Sequence, residues 1–296
     1  MTAIPGRFGA VLTAMVTPFT EDGALDLGGA QTLARHLVDH GTDCLVVAGT
    51  TGESPVLTEA EKLDLWRAVR EAVTAPVLAG TSTYDTADSV HLTEAASAIG
   101  VDGILAVTPY YSRPSQAGLD AHFRAIAAAT DLPVMLYDIP VRAGRKISHE
   151  TLVALGRDVP NIVAVKDAAG NPSAAAALVA AAPSLELYSG DDAMTLPLLA
   201  IGACGAVSVA AHWTGLQQSE MLAAFAKGDV DTARDINARL LESWAFESTD
   251  DAPNPVPTKA MLRVMGLPGG PCRLPMGPEP DGLEARARQV LANLGG

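Results

Sequence analysis

The sequence predicts an α/β fold: a (β/α)₈ TIM barrel followed by a small C-terminal helical bundle. Eight short apolar runs recur along the chain, each followed by a helical pattern. Most of these runs are continuous rather than alternating, as expected of parallel strands buried on both faces. The 296 residues exceed the roughly 200–250 that such a barrel needs, leaving a remainder for additional helices.

The strand runs begin near Gly9 (GAVLTAMVTPF), Cys44 (CLVVAGT), Pro76 (PVLAGT), Gly103 (GILAVTP), Pro133 (PVMLYDIP), Asn161 (NIVAVKD), Leu185 (LELYSGDD) and Gly205 (GAVSVAA). Between them lie helical patterns with start signals. Leu27, Ala30, Leu33, Ala34, Leu37 and Val38 share one helix face, with Asp26 as a cap candidate. Thr58 and Glu61 form a capping box ahead of KLDLWRAVREAV. Asp85 and Ser148 are further N-cap candidates. The alanine run PSAAAALVAAA favours helix by propensity. Strand signals stop after Ala211, where GLQQSEMLAAFAKG, DVDTARDINARLLESWAF, TKAMLRVMG and DGLEARARQVLANL read as helices. The expected division is a catalytic barrel over residues 1–230 and a helical region over 231–296.

The net charge of −14 and pI of about 4.7 argue against a nucleic-acid partner, because phosphates need a basic footprint. The three cysteines are widely spaced, with no CxxC, and do not read as a disulfide framework. Met1–Ala10 has no apolar stretch of signal-peptide length, and no segment approaches the roughly 18 apolar residues of a membrane span. A reducing cytoplasm is the expected location. His36 and His40 lie four residues apart on a helix without a third ligand nearby, so no metal site is expected.

In this fold, chemistry sits at the C-terminal ends of the strands. Lys166 ends the run Ile162–Val165, and alternation places it on the face of Ile162 and Ala164. Burial there would favour a nucleophilic free amine. A solvated strand-end lysine paired with Asp167 fits the same position. Tyr137 and Tyr111 stand at neighbouring strand ends, with Thr50 and Thr51 at another. Linked hydroxyls can relay protons without a metal. Arg142 is a candidate carboxylate clamp, or an ordinary loop arginine.

The segments GTTGES, TPYYSRP, YDIPVRAG, VKDAAGN, YSGDD and NPVPTK resemble, in order and spacing, those of the dihydrodipicolinate synthase family, within the class I aldolase group that contains N-acetylneuraminate lyase. The resemblance covers essentially the whole chain. It implies a lyase that joins pyruvate to L-aspartate 4-semialdehyde in lysine and diaminopimelate synthesis, with no metal or organic cofactor. By the same resemblance Lys166 carries the pyruvate imine and Tyr137 passes protons beside it. Thr50 and Tyr111 are its relay partners, Tyr111 reaching a neighbouring subunit. Thr51 and the Gly190 region hold the pyruvate carboxylate, Arg142 holds that of the aldehyde, and Val207 is a small apolar wall. A homotetramer built as a dimer of dimers is implied. Related alternatives are aldolases or dehydratases acting on 2-keto-3-deoxy-sugar acids, N-acetylneuraminate or 4-hydroxy-2-oxoglutarate, and a non-catalytic pyruvate-binding paralogue.

Two segments depart from the family pattern. Asp138 stands where asparagine is common, and Asp-Ala-Ala follows Lys166. Tyr84, Glu59 and Lys62 occupy the positions of the family's allosteric lysine site, which implies weak or absent inhibition by lysine.

Overall fold

Each of the eight apolar runs forms a strand: β1 Val11–Ala14, β2 Cys44–Val47, β3 Val77–Gly80, β4 Gly103–Val107, β5 Val134–Asp138, β6 Ile162–Asp167, β7 Glu186–Ser189 and β8 Gly205–Ser208. They follow one another in sequence order round a closed barrel. Nearly every strand residue is buried, which is why the runs read as continuous rather than alternating. The structure is a computed structural model that describes residues 4–295. The first three residues of the Met1–Ala10 segment, and Gly296, lie outside the described residues.

The helix starts follow local chemistry. Thr58 and Glu61 form the reciprocal capping box at the head of the helix Glu59–Ala72. Asp26, Asp85 and Ser148 each accept a hydrogen bond from a first-turn amide: Gly29 at 2.8 Å, Ala87 at 2.8 Å and Thr151 at 3.3 Å. The alanine run is the helix Pro172–Ala181, capped by Asn171. After β8 come the helices Ala211–Ala226, Val230–Phe246, Val256–Val264 and Leu283–Leu294. Short turns of helix at Pro140–Ala143 and Thr195–Leu199 do not stand out in the sequence, because one turn shows no periodicity. Among the described residues, no helix is long and apolar enough to cross a membrane.

Two compact units divide the contacts. The first comprises residues 1–10 and 76–207. Here β5 and β6 pair with Tyr137 opposite Lys166 and Asp138 opposite Asp167, and β6 pairs with β7 to set Lys166 opposite Tyr188. A register shift at Val134/Met135 gives β6 one extra residue. The alternation that aligns Lys166 with Ala164 therefore does not run unbroken back to Ile162. His122, on the helix Gln116–Ala128, is buried between two hydroxyls: Nε2 is 3.1 Å from Ser82 Oγ and Nδ1 is 2.9 Å from Thr86 Oγ1. Ser82 donates its proton to the Val107 carbonyl, so Nε2 carries the imidazole hydrogen and Nδ1 accepts from Thr86. Burial pushes the His122 pKa down to about 4, against a smaller opposing pull from Asp85.

The second unit comprises residues 11–75 and 208–296. In it β1 and β2 pair with Leu12 opposite Cys44. Trp66 is fully buried and donates to the Val47 carbonyl at 3.3 Å, tying the helix Glu59–Ala72 to the end of β2. His36 and His40 stack with ring centroids 3.9 Å apart, and burial followed by the His40 charge lowers the His36 pKa. Among the described residues no group of three or more His, Cys, Asp or Glu side chains is placed to hold a metal ion.

Candidate active site

In the first unit, the strand pairing that sets Lys166 beside Tyr137 also brings their side chains together. Both are 4% exposed, and Lys166 Nζ lies 4.1 Å from the centre of the Tyr137 ring. An amine held over a tyrosine face in a buried site is constrained in direction as well as solvation. Gly190, just after β7, has a steric reason to be glycine. A Cβ there would come within 2.9 Å of Lys166 Cγ and 3.0 Å of Ala168 Cβ. The Gly190 amide donates to the Asp167 carbonyl at 2.7 Å, closing the β7 end over the lysine stem. Val207, on β8, is buried.

Other residues of this unit stand at or just after the ends of β3–β6. Asp167 Oδ1 accepts from the Ala169 amide at 2.8 Å, turning the chain out of β6. Asp138 is buried and accepts from Lys146 Nζ at 2.6 Å and from the Ile147 amide at 3.0 Å. These bonds clasp the base of the loop that carries Arg142, whose side chain is exposed. Burial raises the Asp138 pKa and Lys146 opposes that rise, so the departure from asparagine is met by a dedicated cation. Tyr111 is 95% exposed with φ of +74°, and Arg113 follows with φ of +51°. Non-glycine residues rarely occupy this region, which costs on the order of 1 kcal/mol each. Tyr84, 63% exposed, meets the edge of Tyr110 at 5.6 Å.

In the second unit, Thr50 and Thr51 lie on the turn that follows β2. The turn is tight: Ala48 and Glu53 both have positive φ, at +56° and +55°. A Cβ on Gly52 would meet Ala48 Cα and the Met15 carbonyl oxygen at 3.1 Å, so only glycine passes there freely. Thr17 Oγ1 donates to the Gly52 carbonyl at 2.6 Å, and the Glu53 amide donates to the Thr50 carbonyl at 3.0 Å.

Residues of this unit to which the sequence pattern assigns no role hold the turn. Asn254 Nδ2 donates to Thr51 Oγ1 at 2.9 Å. Lys259 Nζ pairs with Glu53 Oε1 at 2.6 Å, with both side chains essentially unexposed, and the Arg273 amide donates to Glu53 Oε2 at 2.9 Å. The Arg273 guanidinium reaches the carbonyls of Gly23 and Val56 and the carboxylate of Glu61. That guanidinium is the main reason the Glu61 pKa falls to about 2. Lys259 Nζ and Arg273 Cζ each lie 4.2 Å from the Phe19 ring centre. The signal for Asn254 and Lys259 is present in NPVPTK and for Glu53 in GTTGES, but not their pairing, since Asn254 and Thr51 are 203 residues apart.

A parallel eight-stranded barrel with a buried strand-end lysine against a tyrosine defines the class: a lyase that works through a Schiff base on lysine. The chain belongs to the dihydrodipicolinate synthetase family, whose sequence pattern matches residues 7–293. It is similar to the 4-hydroxy-tetrahydrodipicolinate synthase of Moorella thermoacetica, 52% identical over 91% of this chain and 92% of that one. The enzyme of the same name from Acidothermus cellulolyticus is 52% identical over 98% and 94%. Among solved structures, the dihydrodipicolinate synthase of Cyanidioschyzon merolae with lysine bound superposes with a TM-score of 0.94 at 43% identity, covering 97% of this chain and 98% of that one. That of Bacillus anthracis superposes with a TM-score of 0.92 at 42% identity, covering 96% and 98%.

Proposed function

We propose that Lys166 is the imine-forming residue of a 4-hydroxy-tetrahydrodipicolinate synthase acting on pyruvate and L-aspartate 4-semialdehyde. The observation that carries this is the buried Lys166 amine 4.1 Å from the Tyr137 ring centre at adjoining strand ends. The amine attacks C2 of pyruvate, and the carbinolamine loses water to give the imine. Loss of a C3 proton yields the enamine, which forms the carbon–carbon bond at the aldehyde carbon. The amino group of the condensed product then displaces Lys166 as the ring closes, which returns the free amine.

Tyr137 is assigned to proton transfer beside Lys166, with Thr50 and Tyr111 as its hydroxyl partners. Thr51 and the Gly190 turn hold the pyruvate carboxylate, Arg142 holds the carboxylate of the aldehyde substrate, and Val207 is an apolar wall. The exposed, left-handed Tyr111 supports a homo-oligomer, a tetramer of two dimers, in which this side chain enters the neighbouring copy. The cytoplasm is the proposed location, supported by three free cysteines. Residues 1–230 form the catalytic barrel of this proposal and 231–296 its helical support.

The test is turnover with both substrates, read through a coupled reductase, together with borohydride trapping of pyruvate. Wild type is expected to turn over and to gain one pyruvate-derived adduct on Lys166. Lys166→Ala is expected to do neither. Arg142→Ala is expected to keep the adduct while losing most turnover, with the loss concentrated in KM for the aldehyde. A folded wild type without an adduct refutes the imine. An adduct without turnover points to another aldehyde acceptor.

A further inference from the structure

Thr51 and Asn254 meet through a hydrogen bond whose direction has chemical consequences. Both are buried, at 3% and 6% exposure. The Asn254 Nδ2 donates to Thr51 Oγ1 at 2.9 Å, and the Thr258 hydroxyl lies 3.4 Å from Asn254 Oδ1 on the donor side of that oxygen. Ser248 Oγ accepts from the Asn254 backbone amide at 3.2 Å, tying down the residue's main chain. A hydroxyl has one proton and two lone pairs. With one lone pair engaged by Asn254, the Thr51 proton must point elsewhere, and an ionised carboxylate can only accept. Five residues on in the same segment, Lys259 holds Glu53, two residues beyond Thr51. One segment therefore grips both the hydroxyl and the end of its turn.

We infer that Asn254 is a positioning residue that keeps the Thr51 hydroxyl turned as a hydrogen-bond donor toward the carboxylate of the 2-oxo acid. The inference rests on the reading that Thr51 binds that carboxylate. Asn254→Asp is nearly isosteric but can only accept, so it turns the Thr51 proton toward itself. Asn254→Ala removes the partner without reversing it.

The experiment titrates pyruvate against borohydride-trapped adduct by mass, and measures kcat and KM for both substrates. Wild type, Thr51→Val, Asn254→Asp, Asn254→Ala and the double variants are compared, each with its melting temperature. Thr51→Val and Asn254→Asp are each expected to raise the half-saturating pyruvate concentration by about tenfold, the scale of one hydrogen bond to a charged group. Asn254→Ala should raise it less, while KM for the aldehyde stays near wild type. Each double variant is expected to be no worse than Thr51→Val alone, because the effect passes through that hydroxyl. If Asn254→Asp fails to fold, the cycle with Asn254→Ala decides. Unchanged half-saturation in Thr51→Val overturns the reading of Thr51 and this inference with it. A raised value in Thr51→Val, with Asn254 variants that are silent or fully multiplicative in the double, overturns the inference alone.

Discussion

Replacing Lys259 by methionine is expected to destabilise the protein by about 3–5 kcal/mol, the cost of leaving a buried charge without its partner. Lys259 and Glu53 side chains are 0% and 1% exposed and meet at 2.6 Å. Methionine keeps most of the lysine stem against Phe19 but removes the cation and its bond to the Pro271 carbonyl. Burial lowers the Lys259 pKa and Glu53 opposes that shift, so the two charges hold one another in place. The backbone amide of Arg273 cannot replace an ammonium on the carboxylate. At about 2.1 cal/mol/K per residue, 296 residues unfold with an entropy of about 0.6 kcal/mol/K. The melting temperature should therefore fall by about 5–8 °C, read by calorimetry or by circular dichroism. Adding Glu53→Gln removes the stranded charge, and the double variant should regain more than half of the loss. A Lys259→Met protein within about 1 kcal/mol of wild type, or a double variant no more stable than the single, would refute the reasoning.

The remaining predictions concern the first unit. His122 is held neutral, with a folded pKa of about 4 against 6.5 for the free group. Its contribution to stability is complete above pH 6.5 and is lost as pH falls toward 4, by about 3 kcal/mol in all. Urea denaturation across that window should show the slope in wild type and a flatter profile in His122→Gln; equal slopes would exclude His122 as its source. Lys146→Met is expected to cost about 1–2 kcal/mol, a value discounted because Lys146 is 43% exposed. Adding Asp138→Asn should recover that loss, since asparagine can still accept from the Ile147 amide. A double variant less stable than Lys146→Met would contradict the clasp.

The sequence by itself determined what nearest neighbours along the chain can settle. Burial on both faces makes a strand read as an unbroken apolar run, so all eight strands are legible in the order of residues alone. Caps act over three residues, so Asp26, Thr58, Asp85 and Ser148 are marked by their spacing. The barrel rule then directs attention to strand ends, and Lys166 and Tyr137 stand out there. Tertiary structure alone decided which distant groups meet. Strand register places Lys166 opposite Tyr137, and the shift in β6 interrupts an alternation that spacing carries back to Ile162. The contacts of Asn254 with Thr51, Lys259 with Glu53, and Arg273 with Glu61 each span about two hundred residues of chain. No local pattern records such a partner. A buried polar group must be satisfied, but the fold chooses what satisfies it, because that depends on which segments packing brings within hydrogen-bond reach.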